Sequence, residues 1–260
     1  MFDSVCKFLI ETFASDFATW LLGEPITLTK LSPSELSLEP IRADALILLQ
    51  SEEVVLHIEF QTQPKVDIPF RMIDYRLRVY RRFPRKQMRQ VVIYLQQTNS
   101  ELVQQTTFTL EDTFHRFQVI RLWEQPTNVF FQSPGLLPFA VLSQANNPTE
   151  TLRQVAVQIS QINDQRIQSN VAASAFVLAG LVLNKEIIQQ LLRKELMQES
   201  VTYQALIAEG REEGIEEGIR RVAINLLREG MSVEVVVRVT GLSVEQINQI
   251  KMTEIDSQGE

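Results

Sequence analysis

The spacing of apolar and polar residues divides the chain into a mixed helix-and-strand part and a helical part. Val5, Phe8, Leu9, Phe13, Phe17, Trp20 and Leu21 recur at helical spacing and predict a helix from Asp3 to about Leu22. Gly23, Pro25 and a Ser/Pro/Glu-rich stretch to Pro40 end it. Two runs rich in aliphatic and β-branched residues follow, predicting strands near 41–49 and 54–62. The break Gln50-Ser51-Glu52-Glu53 is short enough for an antiparallel hairpin, although it lacks the Asn-Gly pair of the tightest turns. Pro64 and Pro69 lead into a helix from about Phe70 to Phe83, closed by Pro84. Val91 to Leu95 is a continuous apolar run, as in a strand covered on both faces, and Phe117 to Trp123 reads as another strand. This order implies an α/β layer structure with at least four strands.

After Pro148 the pattern is helical, over Leu152–Ile162, Ala172–Leu183 and Glu186–Met197. Gly210, Gly214 and Gly218 then punctuate a charged repeat, each costing about 1 kcal/mol relative to alanine inside a helix. They would either let a second helix approach closely or mark a weak connecting helix. Met231 to Lys251 has the outline of a helix-turn-helix, with Ser232 as a cap, Gly241 at the turn, and Ser243 with Gln246 as a capping box. Its second helix offers Glu245, Gln246, Asn248 and Gln249 but only Lys251 as a cation, which suits packing or assembly better than groove reading. The expected divisions are therefore a core at 1–145, a helical region at 146–207, a Glu/Gly-repeat helix at 208–230, the helix-turn-helix segment at 231–252 and a flexible tail at 253–260.

Composition narrows the chemistry. No run approaches the roughly 20 apolar residues that span a bilayer, and no basic segment precedes an apolar one at the N-terminus. The single cysteine, Cys6, reads as a small buried hydrophobe and fits a reducing compartment, so a cytoplasmic location is expected. With His57 and His115 as the only histidines, a Cys/His zinc site is excluded and any metal would be held mainly by oxygen. The net charge is −7, yet Arg71 to Arg89 holds eight basic residues against one acid, Asp74. Such a patch is either a solvated helix face or a footprint for a polyanion.

The hairpin carries the candidate chemistry. With its turn centred between Ser51 and Glu52, Asp44 faces Glu59 and Arg42 faces Gln61. Directly opposed side chains have Cβ atoms about 4.5–5.5 Å apart, so two carboxylates there repel unless a cation lies between them. A divalent metal would resolve the repulsion; an inert salt bridge from Arg42 to both acids would as well. His57, expected opposite Leu46, reads as a packed, hydrogen-bonded histidine rather than a base. Tyr75 and Tyr80 could stack on bases or face the core, and Asp3, Lys7 and Glu11 form an ion-pair stripe on the first helix.

The Arg-x-Asp strand, His57-Ile58-Glu59-Phe60-Gln61 and Arg71-Met72-Ile73-Asp74-Tyr75-Arg76 resemble the PD-(D/E)XK phosphodiesterase superfamily, in its recombination-promoting nuclease, transposase-like branch. Ser133-Pro134-Gly135-Leu136-Leu137-Pro138, the helical modules and the Glu-Gly repeats resemble that branch too, so the likeness covers most of the chain. The resemblance implies a restriction-endonuclease-like mixed sheet flanked by helices, with a helical C-terminal extension. It implies a DNA endonuclease of little sequence specificity, linked to recombination or transposition, that uses Mg2+ or Mn2+. Asp44, Glu59 and the Phe60 carbonyl would hold the metal. Gln61 stands where the wider superfamily has lysine and cannot supply its charge or act as a proton-transfer base; Arg42 could supply the missing cation. Arg71, Arg78, Arg81, Arg82, Arg85 and Lys86 would hold the DNA backbone, and a homodimer would place one site on each strand. The competing expectation is a non-catalytic nucleic-acid-binding or assembly protein that keeps the nuclease fold.

Overall fold

Val54–Gln61 (β3) is buried along nearly its whole length because it is central in a mixed sheet. In the computed structural model residues 2–31, 46–192, 197 and 200–254 are described. The sheet order is β1-β2-β3-β4-β7, with β1 at Thr29–Lys30, β2 at Leu46–Gln50, β4 at Gln87–Tyr94 and β7 at Gln118–Arg121. β1, β2 and β3 pair antiparallel, whereas β3, β4 and β7 run parallel. A second, two-stranded ribbon joins Thr107–Leu110 (β5) to Thr113–Arg116 (β6).

The β2–β3 turn differs from the expected one. Ser51 pairs with Val54 through its backbone N–H, and its hydroxyl accepts from the amides of Glu53 and Val54. That self-capping centres the turn between Glu52 and Glu53, one residue later than expected. Glu59 therefore faces Leu46, and His57 faces Leu48 rather than Leu46. The shift is two residues along the partner strand, so side-chain parity is kept and His57, Glu59 and Gln61 still share a face. Lys86 locks the turn from the side, its Nζ donating to Gln50 Oε1 and to the Ser51 carbonyl at 2.7 Å each.

One face of the sheet is covered by Ile68–Arg82 (α3), which starts two residues before the expected Phe70, with Pro69 in its first turn. Tyr75 and Val79 pack with Leu31, Leu48 and Val55, while Ile68 and Met72 pack with Val92, Tyr94, Val103 and Phe117. The expected single N-terminal helix is two, Phe2–Thr12 (α1) and Ala14–Leu22 (α2), interrupted at Phe13 and ended by Gly23 in the left-handed region. On the opposite face Phe60 stacks on Phe139, and Phe17 meets Phe139 edge-on. Helices Pro148–Ser160 (α4), Gln165–Ala179 (α5) and Lys185–Leu191 (α6) follow, offset from the expected spans because Asn147 and Asp164 cap α4 and α5 early. Burial, with Asp3 adding to it, holds the Cys6 thiol well above its usual pKa. Glu11 pairs with Lys30 in β1 rather than completing a stripe along its own helix.

Gly135 explains the Ser-Pro-Gly segment. Its N–H donates to Asp16 Oδ2 at 2.9 Å, and a Cβ there would lie 2.4 Å from the Phe13 Cβ. Both Cβ atoms are fixed to backbone, so the strain cannot relax by rotamer change. Gly135→Ala is expected to cost about 1–3 kcal/mol, seen as a lower urea midpoint. An unchanged midpoint would show that this approach is not tight.

The chain forms two compact units, Met1–Tyr203 and Gln204–Glu260. Helix Val201–Arg228 (α7) ends within the second unit in paired bonds from Gly230 N–H to the Leu227 carbonyl and from Met231 N–H to the Leu226 carbonyl. This is the Schellman arrangement, with Gly230 at a φ of 80°. Val233–Thr240 (α8) and Val244–Glu254 (α9) follow, and Ala223, Val236, Ile247 and Ile250 form the core of the unit. Ser243 and Gln246 make the expected reciprocal capping bonds. Ser232 precedes α8 without a side-chain cap bond, contrary to expectation. Among the described residues, apart from its chain neighbours and the backbone of its own helix, nothing lies within 4 Å of where a Gly218 Cβ would be. Among the described residues no helix is long and apolar enough to cross a membrane.

Candidate active site

Strand alternation puts Val55, His57, Glu59 and Gln61 on the α3 face of β3. The first is core. The next three carry polar groups into a buried layer, with Glu59 and His57 fully buried and Gln61 5% exposed. An ionised carboxylate at such a depth needs partners. Arg71, one turn into α3, supplies the main one, its Nη2 lying 2.6 Å from Glu59 Oε1. Gln61 Nε2 donates to the same oxygen at 3.1 Å.

The other oxygen differs. Glu59 Oε2 is buried and has no hydrogen-bond partner among the described residues. His57 Nε2, equally buried and equally unpartnered there, lies 3.7 Å from it. The Tyr75 ring packs edge-on to His57 at 5.0 Å, so Tyr75 faces the core rather than solvent. Burial is the main cause that raises the Tyr75 phenol above its ordinary pKa, with Arg71 opposing and Glu59 assisting. Tyr94, beside Gln61 across the parallel pair, is also raised, first by burial and then by Glu59.

Behind His57 lies a group that sequence reasoning missed. Gln90, on β4 opposite His57, donates from Nε2 to the Met72 carbonyl at 2.7 Å and contacts His57 Nδ1 at 3.0 Å. Its Oε1 lies 2.8 Å from His115 Nε2. Burial, then Arg76 and then His57, lowers the His115 pKa below its usual value. The legible signal was a glutamine immediately before the all-apolar run Val91–Leu95.

The other expected site residues separate. Arg42 and Asp44 lie outside the described residues. The Phe60 ring points to the opposite face, onto Phe139, so only its carbonyl is relevant to a metal. The register contradicts the expected facing of Asp44 with Glu59, because Leu46 occupies that position. The basic helix divides as well. Arg71 turns inward to Glu59, Arg78 pairs with Asp74, and Lys86 is committed to the hairpin turn. Arg81, Arg82 and Arg85 are exposed.

A divalent ion suits part of this arrangement. Glu59 Oε2 is a hard oxygen donor left without a hydrogen bond, the donor type that magnesium and manganese select. The described residues contain no group of three or more His, Cys, Asp and Glu side chains able to hold a metal by themselves.

No curated protein and no solved structure matches the chain. A family model does: residues 216–252, from the second half of α7 to Met252 in α9, match the C-terminal HTH domain of the Rpn/YhgA-like nuclease family. That is the recombination-promoting nuclease branch that the hairpin motif resembles. Over these residues the chain is similar to the C-terminal HTH domain of the Rpn/YhgA-like nuclease family.

Proposed function

We propose that the chain is a divalent-metal-dependent DNA endonuclease with little sequence preference, its metal held by Glu59, Asp44 and the Phe60 carbonyl. The observation that carries this reading is the Glu59 carboxylate, fully buried with one oxygen clamped by Arg71 and Gln61 and the other unpartnered among the described residues. Mg2+ or Mn2+ bound there would activate water and neutralise charge developing on the phosphate. Arg71 and Gln61 would orient Glu59, so Gln61 serves the carboxylate instead of standing in for a lysine. Arg42, near Asp44 in sequence, is the candidate for the missing cation. Exposed Arg81, Arg82 and Arg85 would hold the DNA backbone by phosphate contacts, which are blind to base sequence. Arg78 and Lys86 would contribute only by giving up present partners. The helix-turn-helix domain is a second candidate contact with DNA, or the means by which two copies assemble to cut both strands.

The ion pair itself favours a second reading. Arg71 already neutralises Glu59, as it would in an inactive relative that keeps the fold for binding or assembly. Plasmid incubated with Mg2+ or Mn2+ separates the two. Partners outside a metal's ligand sphere are already worth about 10–100-fold, so Asp44→Ala and Glu59→Ala should each slow nicking by at least about 100-fold. Nicking that is absent from the wild type, or that persists at the wild-type rate in both variants, would leave the non-catalytic reading.

A further inference from the structure

We infer that Gln90 is a positioning residue for Glu59, acting through His57, whose ring hydrogen it confines to Nε2. The Met72 carbonyl can only accept a hydrogen bond, so at 2.7 Å it must face the nitrogen of the Gln90 amide and not the oxygen. A flipped amide would set two carbonyl oxygens against each other. The second hydrogen of that nitrogen points at His57 Nδ1, 3.0 Å away, which must then present a lone pair. His57 consequently carries its hydrogen on Nε2, the atom 3.7 Å from the unpartnered oxygen of Glu59. His115 completes the chain by donating from Nε2 to Gln90 Oε1 at 2.8 Å, which holds the amide from its other side.

The line His115–Gln90–His57–Glu59 thus starts on the β5–β6 ribbon, crosses from β4 to β3, and ends on the carboxylate. It sets an N–H dipole towards Oε2 while Arg71 and Gln61 hold Oε1. The carboxylate is constrained from both oxygens, and the tautomer decides whether His57 attracts Oε2 or repels it. A lone pair on Nε2 would face a negative oxygen across a buried, low-dielectric gap. What Glu59 is positioned for rests on the nuclease reading; the tautomer and the carboxylate's response to it do not.

The test is nitrogen-15 spectroscopy of the two histidine rings in the full chain, with His115→Gln assigning the pair. The expected wild-type pattern for His57 is a hydrogen-bearing Nε2 and a bare Nδ1. In Gln90→Glu the new carboxylate can only accept, so the hydrogen should move to Nδ1. The Glu59 carboxyl carbon-13 resonance, assigned with Glu59→Gln, should shift with it. Mn2+ affinity by calorimetry should change by about tenfold in Gln90→Glu, but little when His57 is already Gln, whose amide nitrogen supplies a donor that does not depend on Gln90. A wild-type hydrogen on Nδ1 overturns the inference even if the Gln90 variant does not fold. So does an unmoved Glu59 signal in a folded Gln90→Glu, or an equal change in Mn2+ affinity in both backgrounds. A wild type that binds no Mn2+ but shows the coupled shifts would instead remove the nuclease reading.

Discussion

Replacing Arg71 by leucine is expected to lower folding stability by about 3–5 kcal/mol, the range for stripping one partner from a buried ion pair. The reason is the depth of Glu59. Its side chain is fully buried while that of Arg71 keeps 20% exposure, so the arginine bridges the carboxylate towards solvent. Without it, Glu59 retains one amide hydrogen bond from Gln61 and an N–H dipole beyond hydrogen-bond distance. The remaining charge would be an isolated ion among Tyr75, Tyr94 and His57. Urea unfolding of four proteins measures this: wild type, Arg71→Leu, Glu59→Gln and the double variant. Coupled neighbours deviate from additivity by up to about 3 kcal/mol, so Arg71→Leu should cost about 2–3 kcal/mol less once Glu59 is neutral. Equal costs in the two backgrounds would mean that Arg71 contributes through its aliphatic packing, not its charge.

Phe139→Ala should cost a similar amount, about 3–5 kcal/mol, as for other fully buried phenylalanines. Phe139 is completely buried and holds two elements together. Its ring stacks on Phe60 with centroids 5.7 Å apart and 8° between planes, and it receives Phe17 of α2 edge-on at 5.9 Å. Offset stacking and edge-on contacts each add about 0.5–1.5 kcal/mol beyond area burial. Because Phe60 follows Glu59 on β3, loosening its ring should also disturb the strand that presents the carboxylate. Trp20 packs against Phe130 nearby, so tryptophan fluorescence offers a probe of the same layer. Phe139→Leu, which retains most of the volume, is expected to recover more than half of the loss. A Phe139→Ala protein with the wild-type urea midpoint would show that this layer does not hold the sheet.

Much of the architecture was legible because its periodicities are local. The alternation of β3, the unbroken apolar run of β4 and the helix closed by Pro84 all follow from which residues must avoid water. The Ser243–Gln246 box was legible for the same reason, since its two bonds join residues three apart. The N-terminal helix was read as continuous because its apolar stripe runs through Phe13. The interruption coincides with the site where Gly135, distant in sequence, presses against that residue. The β2–β3 register was missed by two positions because the Ser51 hydroxyl, and not a turn dipeptide, sets the centre of the turn.

By itself the sequence determined the side-chain parity of His57, Glu59 and Gln61, and hence that three polar groups enter one buried face. Parity survives a two-residue slip, and burial demands partners, so a polar cluster at that place follows from the strand's own alternation. Only the tertiary structure decided which partners come. Arg71, seemingly one cation of a surface row, turns inward because α3 lies over the Glu59 face. Lys86 is taken by the hairpin turn for the same reason of proximity. Gln90 reaches His57 because two strands 33 residues apart run in parallel register. Those contacts join elements whose relative placement depends on the packing of the whole sheet, and no local pattern along the chain encodes that.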